Sequence, residues 1–215
     1  MEFTLWDIVR NLIAGLQWTV ALSLVAFIGG AVVGLGIMMM RISSQGLPRN
    51  LARTWIDLFQ GTPLLMQLFL IFFGSSLLGG DISPWAAAAI ALTLFTSAYL
   101  AEIWRGCVEA IPHGQWEASA SLALNRFEQL RHVVLPQALR IAIAPTVGFS
   151  VQVVKGTAVT SIIGFTELTK TGGMIANATF EPFLVYGFVA VGYFLLCYPL
   201  SLIARYLERR LHAAA

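Results

Sequence analysis

Long stretches of apolar residues, broken by short polar segments, make up most of the chain. Four of these stretches contain no charged residue: residues 12–40, 58–80, 82–101 and 182–204. A helix needs about 20 consecutive apolar residues to cross the hydrocarbon core of a bilayer, so each stretch predicts a membrane span. Apolar and polar residues nowhere alternate with the period of two that is typical of strands. The sequence therefore predicts an all-helical integral membrane protein.

A fifth stretch, residues 141–165, has the length of a span but contains Lys155. We predict a fifth span here, interrupted where Pro145, Gly148 and Gly156 break the regular helix. Within a transmembrane domain of residues 12–210, the predicted spans cover residues 12–40, 58–80, 82–103, 137–165 and 182–205. The remaining predicted elements are a short outer-surface helix in residues 1–11 and a surface helix in residues 49–60.

The number of charged residues indicates whether the chain lies in water or in a bilayer, and the positions of the basic ones predict the orientation of the spans. Only 11% of the residues are charged, compared with about 25% in soluble domains, which excludes a water-soluble globular protein. Cytoplasmic loops near span ends retain Lys and Arg, and ten of the 13 basic residues follow the first, third and fifth predicted spans. These ten are Arg41, Arg49, Arg53, Arg105, Arg126, Arg131, Arg140, Arg205, Arg209 and Arg210. The N-terminus is therefore predicted outside and the tail of residues 211–215 in the cytoplasm, and the net charge of +2 indicates topology, not nucleic-acid binding.

Residues 112–136, between the third and fourth spans, form the least apolar loop of the chain. Residues 115–123 favour one short helix and residues 126–134 a second, which Pro136 ends. On the second helix Phe127 and Leu130 recur at helical spacing, with charged residues on the opposite face. Such a helix pair cannot bury its apolar face alone. It either packs on the ends of the spans or docks in a groove of a cytoplasmic partner.

The sequence contains no motif for hydrolysing a nucleotide and no catalytic constellation. A phosphate-binding GxxxxGK(S/T) loop is absent. The three histidines, His113, His132 and His212, all lie on the predicted inner surface without a buried partner. We therefore expect no catalytic residue, cofactor or metal site in this chain. Any ATP that drives it must be hydrolysed by a separate subunit.

Two charges are predicted at membrane depth, where a charge is costly and indicates a function by default. They are Lys155, which precedes a small polar patch, and Glu102, near the inner end of the third span. A structural role is an equal alternative for Glu102, because it can pair with Arg105 one turn later. Lys155 can instead extend towards water or pair with a carboxylate. Further candidates for lining a polar path are Gln67, Tyr99 and Thr157.

The inner loop carries a pattern that is typical of one family. The residues that form it are Glu117, Ala118, Ser119, Ala123, Leu135 and Pro136. They resemble the coupling segment of importer-type ABC permeases, in which Glu-Ala-Ala, Gly and Leu-Pro fall at the same spacing. Five further segments are similar to the binding-protein-dependent branch that imports polar amino acids: residues 59–65, 98–103, 110–115, 135–138 and 207–210. The resemblance covers residues 16–210.

The resemblance implies the type I ABC importer permease fold, with five transmembrane helices and a cytoplasmic coupling loop. It implies that a separate ATP-binding subunit, which holds ATP and Mg, docks on Gln115, Glu117, Ala118, Ser119, Leu122, Ala123, Phe127 and Leu130. The substrate path is expected to include Gln67, Tyr99, Glu102, Lys155 and Thr157. The other implied partners are a second, identical or similar permease subunit, an extracytoplasmic solute-binding protein and a polar amino acid. The implied location is the cytoplasmic (inner) membrane of a bacterium.

Two residues depart from the family pattern. Ala123 replaces a Gly, and if the turn there needs a positive φ angle, Ala costs about 1 kcal/mol. Gly156 replaces an Asp that often follows the lysine, which removes an anionic group that would favour a cationic substrate side chain. Two other functions stay open at this point: a passive channel or scaffold subunit without an ATPase, and a proton-coupled carrier in which Glu102 titrates.

Overall fold

The computed structural model describes residues 4–212, with side chains to residue 210. Within this range the chain is helical, as predicted, and contains no strand. The helices are α1 (Leu5–Arg41), α2 (Gly46–Gly61), α3 (Leu64–Leu77), α4 (Pro84–Glu109), α5 (His113–Ser121), α6 (Arg126–Gln129), α7 (Leu135–Gly156), α8 (Leu168–Thr179) and α9 (Pro182–His212). A π-helical turn, Leu130–Val134, joins α6 to α7, and a 3-10 helix, Thr157–Ile163, follows α7.

The first helix is longer than predicted. Thr4 and Asp7 form a capping box: the Thr4 hydroxyl accepts a hydrogen bond from Asp7 N at 3.2 Å, and the Asp7 carboxylate accepts one from Thr4 N at 3.1 Å. No proline or glycine follows within the next two turns, so the helix continues without a break into the apolar stretch. The short helix predicted in residues 1–11 is not separate from the first span, because residues 5–11 belong to α1, and residues 1–3 lie outside the described range.

The second predicted span, residues 58–80, is not one helix. α2 and α3 meet at a bend of 101°, because Thr62 and Pro63 both have extended backbone and a residue before proline disfavours helical geometry. α2 contains the predicted surface helix, and the 14-residue α3 is shorter than the roughly 20 residues a span needs. Four helical segments of the described chain are long and apolar enough to cross a membrane, and the bent pair brings the number to at most five.

The loop and the fourth span form one continuous helical run from residue 126 to residue 156. We predicted that Pro136 ends the loop helix, but Leu135 N donates to Leu130 O in the π turn. The wider turn places Pro136 in the first turn of α7, where a missing N–H costs little. α7 also runs through Pro145 and Gly148, since a membrane helix tolerates the loss of one backbone hydrogen bond. Of the three predicted breaks, only Gly156 coincides with the end of α7.

Close packing of α1 on α4 forms the centre of the bundle. A Cβ atom on Gly30 would lie 2.4 Å from Thr96 Cγ2, and one on Gly34 would lie 2.8 Å from Ser97 O. Only glycine permits this approach. Two apolar clusters lie at opposite ends of the bundle. The cluster at the Arg41 end, where α1 and α4 end and α7 begins, includes Ile37, Met38, Val108, Val134 and Ala138. The cluster at the Leu5 end joins α1, α8 and α9 and includes Ile8, Leu12, Leu168, Ile175 and Val189.

Candidate functional site

The predicted docking loop is attached to the Arg41 end through its own buried residues. Ile111 belongs to the Arg41-end cluster, and Trp116 and Leu130 pack against it. Ser119 is buried, and its hydroxyl donates to Trp116 O at 2.8 Å. Through Trp116, α5 packs against the apolar cluster at the Arg41 end, and it lies beside the π turn that leads into α7.

Hydrogen bonds fix the backbone on both sides of the turn between α5 and α6. Ala123 has a φ of 60°, in the left-handed region that favours glycine, so the conditional expectation of a positive φ is confirmed. Ala123 N donates to Ala120 O at 2.9 Å and Leu124 N to Ser119 O at 3.4 Å, the pattern of a Schellman motif that ends a helix. Asn125 then begins α6 with a capping box, in which its Oδ1 accepts from Glu128 N at 3.0 Å.

Large apolar side chains are exposed on both sides of this turn. Leu122 is 76% exposed and Phe127 is 62% exposed. Six of the eight predicted docking residues are exposed, and we call them the docking face: Gln115, Glu117, Ala118, Leu122, Ala123 and Phe127. The other two predicted residues, Ser119 and Leu130, face the bundle instead.

Two of the residues predicted to line a substrate path make hydrogen bonds to nearby backbone. Gln67 is buried, and its Nε2 donates to Phe59 O at 2.9 Å and to Thr62 O at 3.0 Å, so it braces the bend between α2 and α3. Thr157 is buried and donates to Val154 O at 2.8 Å. Both side chains are thus engaged with the backbone beside them.

Glu102 takes the structural role that we left open. Its two carboxylate oxygens accept from Arg105 Nε at 2.8 Å and from Arg105 Nη2 at 2.5 Å. Arg105 also pairs with Glu109. Glu102 therefore belongs to an ion-pair network at the Arg41 end of α4.

Tyr99 and Lys155, like Glu102, keep some exposed surface. Tyr99 is half-buried and stacks on Phe149, with ring centroids 5.3 Å apart and planes 14° apart. Lys155 is exposed, and no carboxylate among the described side chains lies within the 4.0 Å of an ion pair. The next residue, Gly156, faces inward: a Cβ there would lie 3.2 Å from Leu92 Cδ2. An Asp at this position would contact leucine side chains.

Glu167 is a buried charged residue that our sequence reasoning missed. It is fully buried and is the N-cap residue of α8. Its Oε2 accepts from Tyr193 OH at 2.7 Å and from Thr19 Oγ1 at 3.3 Å, and its Oε1 accepts from Lys170 N at 2.9 Å. The N-terminus of a helix favours an anion. The available signal was a carboxylate two residues beyond the predicted fourth span.

Close glycine contacts hold α8 between α1 and α9 beside Glu167. A Cβ on Gly15 of α1 would lie 2.6 Å from Thr171 Oγ1, and a Cβ on Gly172 would lie 2.4 Å from Val189 Cγ2 of α9. Thr169 Oγ1 lies 2.9 Å from Tyr193 OH and completes the polar network. We call Thr19, Glu167, Thr169 and Tyr193 the Glu167 cluster.

Comparison with known proteins assigns the family. Residues 32–213 match the family described as "binding-protein-dependent transport system inner membrane component". The chain belongs to this family. The permease is 34% identical over 209 residues to the glutamine transport system permease protein GlnP of Escherichia coli (strain K12), which covers 96% of this chain and 95% of GlnP. It is 32% identical over 212 residues to the L-cystine transport system permease protein TcyB of Bacillus subtilis (strain 168), covering 96% of this chain and 91% of TcyB.

Solved structures agree with this family assignment. The permease matches the crystal structure of an amino acid ABC transporter with histidines at a TM-score of 0.90 and 33% identity, over 98% of this chain and 100% of the other. The MetNI methionine ABC transporter, at a TM-score of 0.77 and 21% identity over 96% of this chain and 97% of the other, shares the fold. The predicted family and the type I importer permease fold are confirmed. As a permease component, the chain is not itself the catalytic subunit.

Proposed function

We propose that this permease forms the translocation path of an ATP-driven importer of polar amino acids. The observation that carries the proposal is the likeness, at 33% identity over nearly the whole of both chains, to a solved amino acid ABC transporter. Curated relatives that carry glutamine and L-cystine support the same substrate class. The pairing of Glu102 with Arg105 disfavours the proton-coupled alternative, because the carboxylate is already held by a cation.

The Arg41 end faces the cytoplasm in this proposal, and the Leu5 end faces outward. Basic residues favour the cytoplasmic side, and α1 ends at Arg41 while the loop from α4 to α7 contains Arg126 and Arg131. This orientation places the docking face inside the cell. An extracytoplasmic solute-binding protein then meets the permease at the Leu5 end.

The docking face binds a separate ATP-binding subunit, which holds ATP and Mg. Leu122 and Phe127 offer large exposed apolar groups on a turn of fixed geometry, the arrangement expected of a short helix that enters a groove. Glu117, exposed on the same loop, adds a charge that can pair across the interface. Since α5 is packed against the Arg41-end cluster, closure of two ATP-binding subunits would rock α4 and α7.

The substrate path forms between two permease copies, identical or similar. A single chain leaves Lys155 exposed at the end of α7, without a carboxylate partner among the described side chains. Its ammonium is suited to the carboxylate that every amino acid carries. The other path candidates support this path indirectly, by holding the helices around it in place rather than by contacting the substrate. They are Tyr99, which stacks on Phe149, and Gln67, Glu102 and Thr157, which form hydrogen bonds within the chain.

Loss of docking and loss of uptake test the proposal together. Leu122 and Phe127 are changed to serine in one double variant, and the similarly exposed Leu47 and Leu51 of α2 serve as the matched control. Truncating an apolar residue at the centre of an interface can cost at least about 2 kcal/mol of binding free energy, which weakens association about 30-fold. We expect pull-down of the ATP-binding subunit and ATP-driven uptake of glutamine in proteoliposomes to fall by this factor only in the loop variant. Undiminished association and uptake would support a passive channel or scaffold instead.

A further inference from the structure

An apolar cavity of about 470 Å³ opens between α1, α4 and α7 at the Arg41 end. Its lining includes Leu35 and Met39 of α1, Trp104 of α4, and Leu139 and Ala142 of α7. Every lining residue is apolar, and the indole N–H of Trp104 is already used, since it donates to Thr146 Oγ1 at 2.9 Å. Leu35, Met39 and Leu139 are themselves exposed, so the cavity opens sideways from the bundle.

The size and lining of this cavity select the kind of molecule that fits. Its volume lies within the roughly 300–1,000 Å³ of small-molecule sites. A polar amino acid would find no hydrogen-bond partner there, and burying its polar groups without partners is costly. A flexible hydrocarbon chain fills such a space and needs no polar contact.

Positive charge lies at the Arg41-end mouth of the cavity. Arg131 precedes the lining residue Leu135 by one turn and is exposed. It has no carboxylate within ion-pair distance among the described side chains.

We propose that the cavity is a binding site for one anionic phospholipid. An acyl chain lies against α1, α4 and α7, and the head-group phosphate is held by Arg131. Basic pockets between membrane helices bind anionic head groups in this manner. The lipid would connect α1 to the helical run that begins at the docking loop, a role separate from moving the substrate.

Native mass spectrometry of the permease with its ATP-binding partner tests the site. The complex is stripped of lipid and titrated with dioleoyl phosphatidylglycerol or dioleoyl phosphatidylcholine. We expect phosphatidylglycerol to bind at least fivefold more tightly. Met39→Trp fills the cavity and should abolish the retained lipid, whereas Val32→Trp, at an exposed position of α1 outside the lining, should keep it.

A charge variant tests the head-group contact separately. Arg131→Gln should weaken phosphatidylglycerol binding about fivefold, the effect of one arginine near an anionic lipid. Arg140→Gln is the matched control, because Arg140 lies roughly 140° around α7 from Leu135. If Met39→Trp prevents assembly, Leu139→Trp replaces it at a more exposed position of the lining.

Three results would overturn the proposal. The first is equal binding of the two lipids, and the second is unchanged retention in the cavity-filling variant. The third is a photocrosslinker at Leu139 that joins a second permease copy instead of a lipid, because the cavity is then covered by protein.

Discussion

The two ends of the bundle hold their carboxylates in opposite ways. At the Leu5 end, Glu167 is fully buried and accepts hydrogen bonds from α1, α8 and α9. At the Arg41 end, Glu102 is paired with Arg105 and Glu117 is exposed on the docking face. A buried, fully bonded carboxylate fixes the helices around it, whereas an exposed one leaves its bonding capacity for a partner. The difference indicates that one end is built for rigidity and the other for contact.

Removing the buried carboxylate should have the largest effect on stability. Glu167→Ala removes the N-cap bond from Lys170 N and the bonds from the hydroxyls of Tyr193 and Thr19, which keep only Thr169 Oγ1 and Gly15 O as neighbours. Loss of an N-cap costs about 1 kcal/mol and loss of hydrogen bonds to a charged group about 1.5–3 kcal/mol. We therefore expect a loss of about 3 kcal/mol, or a fall in Tm of roughly 6–12 °C, in a thermal unfolding assay. Glu102→Ala, which breaks a partly exposed ion pair, should cost at most about 1 kcal/mol. Equal losses of stability in Glu167→Ala and Glu102→Ala would show that the two ends do not differ in how their carboxylates stabilise the fold.

Tight packing around α8 should respond to a single methyl group. Gly172→Ala places a Cβ 2.4 Å from Val189 Cγ2, and overpacking of this kind costs about 1–3 kcal/mol. The control is Gly187→Ala in α9, where no atom lies within 4 Å of the added Cβ and the higher helix propensity of alanine is slightly favourable. The same unfolding assay should show opposite signs for the two variants. A neutral Gly172→Ala would mean that α8 is free to shift.

Loss of an exposed charge should affect association without affecting the fold. Glu117 is exposed and its side chain has no partner within the described chain. Glu117→Ala should therefore change the free energy of unfolding by no more than about 0.5 kcal/mol. Binding of the ATP-binding subunit should weaken about tenfold, measured by titration of that subunit. Glu181→Ala, an exposed acid near the start of α9 at the Leu5 end, should leave this affinity unaltered. Lowered stability in Glu117→Ala would point to a structural role instead.

The smallest expected effect is a gain in stability. Ala123 has a φ of 60°, and glycine at such a position is about 1 kcal/mol more favourable than alanine. Ala123→Gly should therefore raise Tm by roughly 2–4 °C where the loop unfolds with the rest of the chain. Ala118→Gly, within regular α5, should lower it. A reduced Tm in Ala123→Gly would show that the turn relaxes out of the left-handed region.

Sequence reasoning succeeded where one local signal decides the structure. The apolar runs located the main helices, and the spacing from Glu117 to Pro136 located the loop and the turn at Ala123. It failed where contacts elsewhere in the fold decide the structure. Pro136 and Pro145 were predicted to end or interrupt helices, but a π turn accommodates Pro136 and α7 continues through Pro145. Glu167 could not be recognised as buried, because its donors Thr19 and Tyr193 come from helices far away in the sequence.

The helical run from residue 126 to residue 156 contains a π turn and Pro145, two features at which helices bend. At 1.5 Å per residue the run is about 46 Å long, with the docking face beside one end and Lys155 at the other. Tilting a straight rod of that length by about 10° about its loop end would carry the far end through about 8 Å. In the proposed importer, a small tilt imposed at the docking face would therefore be enlarged at membrane depth to the extent that the π turn and Pro145 stay stiff.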